Sequence, residues 1–553
     1  MATYEKLPLL QPSAQVPRNT TSKRRRVPIL AILSLSALAL LWTHRVFGLF
    51  REREEPHSLP LAAQCPQVDP LLPKQKTDAL TKMEKYLDSS AFRNETISRL
   101  SGAVQIPTQS YDDMGPIGED PRWETMYDLA AFFEETFPLV HKTLKLDKIN
   151  THGLLYTWEG SNKSLKPTVL MAHQDVVPVA EATRGQWTFP PFSGHYDGES
   201  IWGRGSSDCK NLLVGTLEAV ELLVKAGFVP QRTLVLSFGF DEEVLAGAGA
   251  GHLAAELLER YGKDGAAIIV DEGAGLTTAF GATFATPAVG EKGAIDVEVT
   301  FITLVEANLY EPHFHPENPF LGLLQCGAAH GPDFPPEWKK LLGSGTTISA
   351  RNKDKLAREV AKFSDEFKYL FTTSVAVDII SGGVKSNALP ERTTALINHR
   401  VNVGDSPSDV QAKIAKLASS ITEKYNLTLH AFDDEAETPS SMTLKSPRTL
   451  EPAPVSPTEV DSLTPYAVLS GTTRALYNQD VIMAPGLSTG NTDTLFYWDL
   501  TKHIFRYQAG WDPKQEGLGG IHTVDEHISV LAHINTVKWI STLVRNMDEA
   551  SLA

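Results

Sequence analysis

Three short apolar runs constrain this chain more than anything else in it: Pro167–Ala172, Thr233–Phe238 and Ala266–Val270, each bounded by polar, Gly or Pro residues. Runs of this length and composition are expected as strands buried on both faces. Helix-like stretches, Asn211–Ala226 and Leu245–Arg260, separate them. Strands alternating with helices predict an α/β fold, a mostly parallel sheet with helices on both faces. Each run also leads into a side chain able to hold a metal: His173 after Ala172, Asp241-Glu242-Glu243 shortly after Phe238, and Asp271-Glu272 after Val270. Ligands bind at the carboxyl ends of parallel strands, so these groups are expected in one crevice. A single strand-end acid is usually a helix cap; three such ends, one with a His, point to a metal site.

Two further segments join this set. Gly203-Arg204-Gly205-Ser206-Ser207-Asp208 is a Gly-rich loop leading into the helix at Asn211, and it lacks the Gly-Lys-Ser/Thr ending of a nucleotide loop. Near the end, Gly519-Gly520-Ile521-His522 presents a His in a turn, with Thr523 and Glu526 spaced as a capping box for the last helix. The resulting set, His173, Asp208, Glu243, Asp271 and His522, has the composition of a paired zinc site, two Zn2+ per subunit. Two ions roughly 3.5–4 Å apart activate a shared water for hydrolysis, and a general base must take its proton. Glu242, next to a ligand, is the candidate.

The chain's formal charge of −16 excludes the dense Lys/Arg surface that nucleic-acid binding needs. Its N-terminus carries Lys23-Arg24-Arg25-Arg26 and then an apolar run from Val27 to Trp42. This reads as a signal anchor over 27–43 behind a cytosolic tail, 1–26, with a charged, Pro-rich stem over 44–76. Basic residues before the span place the remainder in a lumen or outside the cell, as a single-pass type II membrane protein. Sequons at Asn94, Asn162 and Asn426 agree with that side of the membrane. Of three cysteines, Cys65, Cys209 and Cys326, at most two can pair within the chain.

After Glu291-Lys292-Gly293 the pattern changes to alternation at Ile295, Val297 and Val299, then at Val375, Val377, Ile379, Ala395 and Ile397. These are expected as half-exposed strands of a second sheet. The Pro-, Ser- and Thr-rich passage Glu435–Pro457 reads as a linker returning to the first domain. The expected organisation is a catalytic domain over 77–292 and 453–548 with a smaller α+β lid domain, 293–452, inserted in it.

These motifs resemble the dizinc metallopeptidase family of aminoacylase and glutamate carboxypeptidase. The likeness rests on Met171-Ala172-His173-Gln174-Asp175, the Gly203–Asp208 loop, Asp241-Glu242-Glu243, Asp271-Glu272-Gly273 and His522, and spans about Leu80 to Met547. It implies that Asp208 bridges the metals, that His173 and Asp271 hold one ion and Glu243 and His522 the other, and that Glu242 is the acid/base. It further implies that Asp175 orients a ligating His and that the Asp208-Cys209 peptide is cis. Asn387 in Gly382–Pro390, Arg400, and Gly490 before Asn491-Thr492-Asp493 match substrate-binding positions. An Arg fork suits a terminal carboxylate, so the resemblance implies hydrolysis of a peptide or N-acyl bond beside a free C-terminal amino acid. An N-acyl-amino-acid hydrolase or condensing enzyme would use the same residues. The family's lid domain commonly dimerises, which implies a homodimer.

The chain departs from the family in the lid. Thr303 runs directly into Leu304-Val305-Glu306, where relatives carry a Gly-Gly-His-Ser-Ser segment and a long helix. The His in that segment helps bind the substrate carbonyl, and losing one such donor costs about 10²–10³ in rate. The departure therefore also supports an impaired or non-catalytic metal-binding homologue.

Overall fold

The apolar runs form strands whose side chains alternate between two packed faces. The computed structural model describes residues 61–552 except 300–304, 306–308, 344–347, 384–389, 391, 434, 436–437, 479 and 516. The expected anchor at 27–43, its tail and most of the stem lie outside these residues, as do Asn387 and the Thr303-Leu304 junction. Among the described residues no helix is long and apolar enough to cross a membrane.

In chain order the strands are β1 (Lys145–Ile149), β2 (Gly153–Trp158), β3 (Thr168–His173), β4 (Leu234–Gly239), β5 (Ile268–Asp271) and β6 (Ala288–Glu291). A second group follows: β7 (Gly293–Val299), β8 (Ser374–Gly382), β9 (Thr393–Val401), β10 (Thr428–Ala431) and β11 (Ser441–Leu450). The chain then adds β12 (Gly486–Ser488) and β13 (Ile504–Arg506). The larger sheet has the order β1-β2-β4-β3-β5-β13-β6-β12. Its centre, β4-β3-β5-β13, is parallel as expected. β1, β2 and the β6–β13 pair run antiparallel and make the sheet mixed, while the outermost pair, β6–β12, is again parallel. The turn at Asn150 and Thr151, both at positive φ, is short enough to join β1 to β2 only as an antiparallel hairpin.

Within β3, Val169 and Met171 join Leu253 and Leu257 of the helix Ala250–Tyr261. Leu170 and Ala172 join Leu213 and Leu217 of the helix Lys210–Lys225, together with Val537 and Ile540 of the helix Val530–Glu549. Helices thus cover both faces, and each fully buried Leu or Val contributes about 1.5–3 kcal/mol. The helix Ala250–Tyr261 begins later than the sequence pattern predicts because Leu245 (φ 46°) and Gly247 (φ 75°) are left-handed. Asp241 then holds the amides of Ala248 and Gly249 at 2.6 and 2.8 Å.

The smaller sheet has the order β8-β9-β7-β11-β10. The helix Pro407–Tyr425 contributes Val410, Ile414 and Ala418 to its core, which also takes in Val305. The helices Phe320–His330 and Ala350–Phe363 pack elsewhere: Phe320, Leu324, Leu356 and Val360 share a core with Phe284, Ile482 and Ala484. The passage expected as a linker contains β11, which pairs with β7 and β10. Its Met442 and Leu444 alternate inward, a pattern masked by the surrounding Ser, Thr and Pro. Cys65 and Cys326 form a disulfide across a sequence separation of 261 residues, and Cys209 is free and buried.

Candidate active site

β3 ends on His173, whose ring is buried. Its Nδ1 lies 2.9 Å from the Asp175 carbonyl oxygen, and donation there leaves Nε2 as the free lone pair. Nε2 faces Asp208 Oδ1 at 3.2 Å and Glu272 Oε1 at 3.3 Å. On the other side of Asp208, His522 Nε2 lies 3.0 Å from Asp208 Oδ2 and 3.1 Å from Glu243 Oε2. Asp208 therefore stands between two donor groups, His173 with Glu272 and Glu243 with His522. Glu242 joins His173 and Glu243 in an overlapping group, and the Asp208-Cys209 peptide is cis as the motif implies.

The structure brings His173, Asp208, Glu243, His522 and Glu242 together, whereas the Asp271 carboxylate belongs to none of these close donor groups. Asp271 still belongs to β5: it stands opposite Arg506 of β13, and its carbonyl accepts the Tyr507 amide at 2.9 Å. Its Oδ2 is buried without a hydrogen-bond partner. The strand ends at Asp271, and the next residue, Glu272, in the bend that follows, presents its carboxylate to His173. Glu272 thus stands beside His173 and Asp208, the place that the sequence reading gave to Asp271.

Asp175 Oδ1 lies 3.3 Å from His173 Nδ1, the ring nitrogen opposite the one that faces Asp208, so Asp175 orients this imidazole as the motif implies. It is fully buried and accepts the amides of Glu242 and Glu243 at 3.2 and 3.1 Å and the Ser110 hydroxyl at 2.7 Å. It is a positioning residue for both β3 and the acidic turn. A second positioning residue, Glu526, does not cap the last helix, which starts at Val530 behind Ser529. Its buried Oε1 accepts the amides of Gly205, Ser207 and Asp208 at 3.1, 2.9 and 3.1 Å, and Oε2 accepts Arg204 at 2.5 Å. This carboxylate ties the His522 turn to the Asp208 loop. His522 itself is left-handed (φ 59°), following Gly519 and Gly520 at φ 70° and 72°. Asp525 fixes the turn by accepting Thr188 N and Oγ1 at 2.7 and 2.9 Å.

Electrostatics indicate what the cluster can hold. Burial, then neighbouring Glu272, pushes Glu242 well above the usual carboxylate range, and burial does the same to Glu272. Hydrogen bonds to Asp208 and then Glu243 raise His522 to about 10. Burial works to lower His173, but neighbouring Cys209, then Glu272, Asp175 and Asp208, outweigh it and hold the ring well above its ordinary value. Asp208, Glu242, Glu243 and Glu272 are more carboxylates than two imidazoles can neutralise. Metal cations held by His nitrogen and carboxylate oxygen fit this excess.

Arg400, on β9, lines a cleft of about 500 Å³ with Lys292, Tyr369, Ser374, Asn398 and Gly490. Its Nη1 donates to Asn491 Oδ1 at 2.9 Å, and no carboxylate among the described residues pairs with it. Asn491 in turn donates to the Lys292 carbonyl at 2.6 Å. Two residues on, Asp493 packs so closely on the end of β4 that a Cβ at Gly239 would meet its Oδ2 at 2.4 Å. The 490–493 loop thus connects the Arg400 cleft to the strand end that carries Glu242 and Glu243.

A strand-end cluster of two imidazoles and acidic donors around one shared Asp, with a buried Glu beside it, defines a metallopeptidase. The chain belongs to Peptidase family M20/M25/M40, whose model matches residues 169–546. It is 39% identical to Carboxypeptidase S of Saccharomyces cerevisiae over 582 aligned residues, covering 97% of this chain and 99% of that one. It is 30% identical over 478 residues to the N-fatty-acyl-amino acid synthase/hydrolase PM20D1 of Homo sapiens, covering 81% and 87%. Human carnosine dipeptidase 1 shares the fold, with a TM-score of 0.57 at 14% identity, covering 86% of this chain and 100% of that one.

Proposed function

We propose that this chain is a two-zinc carboxypeptidase that hydrolyses the peptide or N-acyl bond next to a free C-terminal amino acid. The observation that carries this reading is the pair of donor groups sharing Asp208, with Glu242 against them. His173, Asp208 and Glu272 would hold one ion, and Asp208, Glu243 and His522 the other. When bound, the ions lower the pKa of a water and stabilise charge developing on the scissile carbonyl. Glu242 takes the proton of the attacking water and returns it to the leaving nitrogen. Arg400 receives the substrate's terminal carboxylate, Gly490 lines the same cleft, and Asn387 is assigned to it from the motif.

Losing a hydrogen bond to a charged group costs about 1.5–3 kcal/mol, so Arg400→Ala is expected to raise KM for a free-acid dipeptide roughly 10- to 100-fold. The C-terminal amide of that dipeptide should be cleaved no worse than by the parent enzyme. Equal losses on acid and amide would remove Arg400 from carboxylate recognition. A fatty-acyl amino acid substrate is the second reading, favoured by the 30% identity to the human synthase/hydrolase. Comparing dipeptides with acyl amino acids in one panel separates the two.

We place the enzyme in a vacuolar or other secretory lumen behind a signal anchor at 27–43. The Cys65–Cys326 disulfide supports an oxidising compartment, and the asparagines of all three sequons are exposed. Protease added to sealed vesicles should spare the catalytic part, and its digestion would overturn this topology. A homodimer through the smaller sheet is supported by edge strand β8, where Ile379 and Ile380 are 58% and 63% exposed. Sedimentation as a monomer at micromolar concentration would exclude it.

A further inference from the structure

A groove of about 800 Å³ lies away from the metal cluster, between the helix Pro407–Tyr425, the helices Ala350–Phe363 and Asp365–Tyr369, and the segment 309–312. Its walls carry Arg358, Lys362, Lys368, Lys413 and Lys416, against one carboxylate, Glu311. On a chain whose formal charge is −16, such a concentration of cations runs against composition. Arg358 with Lys362 and Lys413 with Lys416 stand four and three residues apart on their helices, spacings at which like charges repel by about 0.2–0.5 kcal/mol per pair. Among the described residues, Lys362 has a partner in Glu359 at 3.6 Å. Arg358, Lys368 and Lys416 pair with no carboxylate there. Lys413 sits over the Tyr310 ring, 3.6 Å from its centroid.

The lining is also apolar in part. Ala361, Leu417 and Tyr310 belong to it, as does Leu309, which is 52% exposed. The Tyr310 hydroxyl is buried without a hydrogen-bond partner. A small multivalent anion would use the cations and leave the apolar side chains wet. An acidic peptide alternating carboxylates with apolar side chains uses both, and the volume lies in the range of pockets that enclose ligands.

We propose that this groove is a docking site for an acidic, amphipathic peptide segment of a partner protein, independent of the hydrolytic site. Coupling of facing charges would steer association and make it strongly dependent on salt.

The test is fluorescence anisotropy on the full, metal-loaded chain with a labelled ten-residue peptide of alternating Glu and Leu, amidated at its C-terminus so that it lacks a free carboxylate there. Binding is expected to weaken at least tenfold in the double variant Lys413→Glu, Lys416→Glu and in Lys413→Gln, Lys416→Gln, the latter adding no new charge that could disturb folding. Dipeptide turnover should stay at the parent level in both. Unchanged peptide affinity in the glutamine pair would overturn the proposal. So would equal binding of the same peptide with Ser in place of Leu, or full displacement by inorganic tripolyphosphate at matched charge, since either outcome makes the groove a site for anions alone.

Discussion

Glu242→Gln is expected to lower kcat by about 10²–10⁴, the range contributed by a positioned general acid/base, while the bound-metal content stays at the parent level. Glutamine keeps the shape and the backbone amide bond to Asp175 Oδ1, 3.2 Å in the parent, but cannot accept a proton at neutral pH. The buried Glu242 carboxylate lies in the donor group of His173 and Glu243, and the ions are assigned to the groups that meet at Asp208. Metal analysis together with steady-state kinetics on one preparation decides the matter. Retained turnover would remove Glu242 from proton transfer; turnover lost together with bound metal would make it a ligand instead.

How far the site could be read from sequence follows from what a strand end specifies. The rule that ligands gather at the carboxyl ends of parallel strands is enough to find His173 and the Asp241-Glu242-Glu243 turn, because β3 and β4 are central and parallel. Asp208 and His522 came from loops, and their convergence depends on Glu526, whose three amide bonds span more than 300 residues of sequence. Local spacing suggested a capping box for Glu526, yet the helix begins behind Ser529. No local pattern separates a carboxylate that caps a helix from one that holds a distant loop. The same limit hid β11, whose inward Met442 and Leu444 are outnumbered by polar neighbours, and left open which cysteines pair.

Where two acids are adjacent, sequence locates the strand end but not the side each residue faces. Asp271 and Glu272 are such a pair, and they give the second large expected effect. Glu272→Gln should reduce metal content from two ions to one per chain and cut turnover severely, because the amide removes one carboxylate from the group around His173. Even residues that only support ligands change metal affinity about 10- to 100-fold, so a lost ligand should exceed that. Asp271→Asn should leave stoichiometry at two, since the Asp271 side chain lies outside the donor groups.

The two variants also differ in stability. In the metal-free protein burial raises Asp271 to about 6, against an unfolded value near 4. The unfolded chain then releases this proton first, so the group's contribution to stability falls as pH rises between about 4 and 6 and is flat above. Asp271→Asn removes that decline, and its unfolding midpoint should lose part of its dependence on pH in this window. Loss of one metal in Asp271→Asn, with two retained in Glu272→Gln, would reverse the assignment and turn the side chain of Asp271 toward His173.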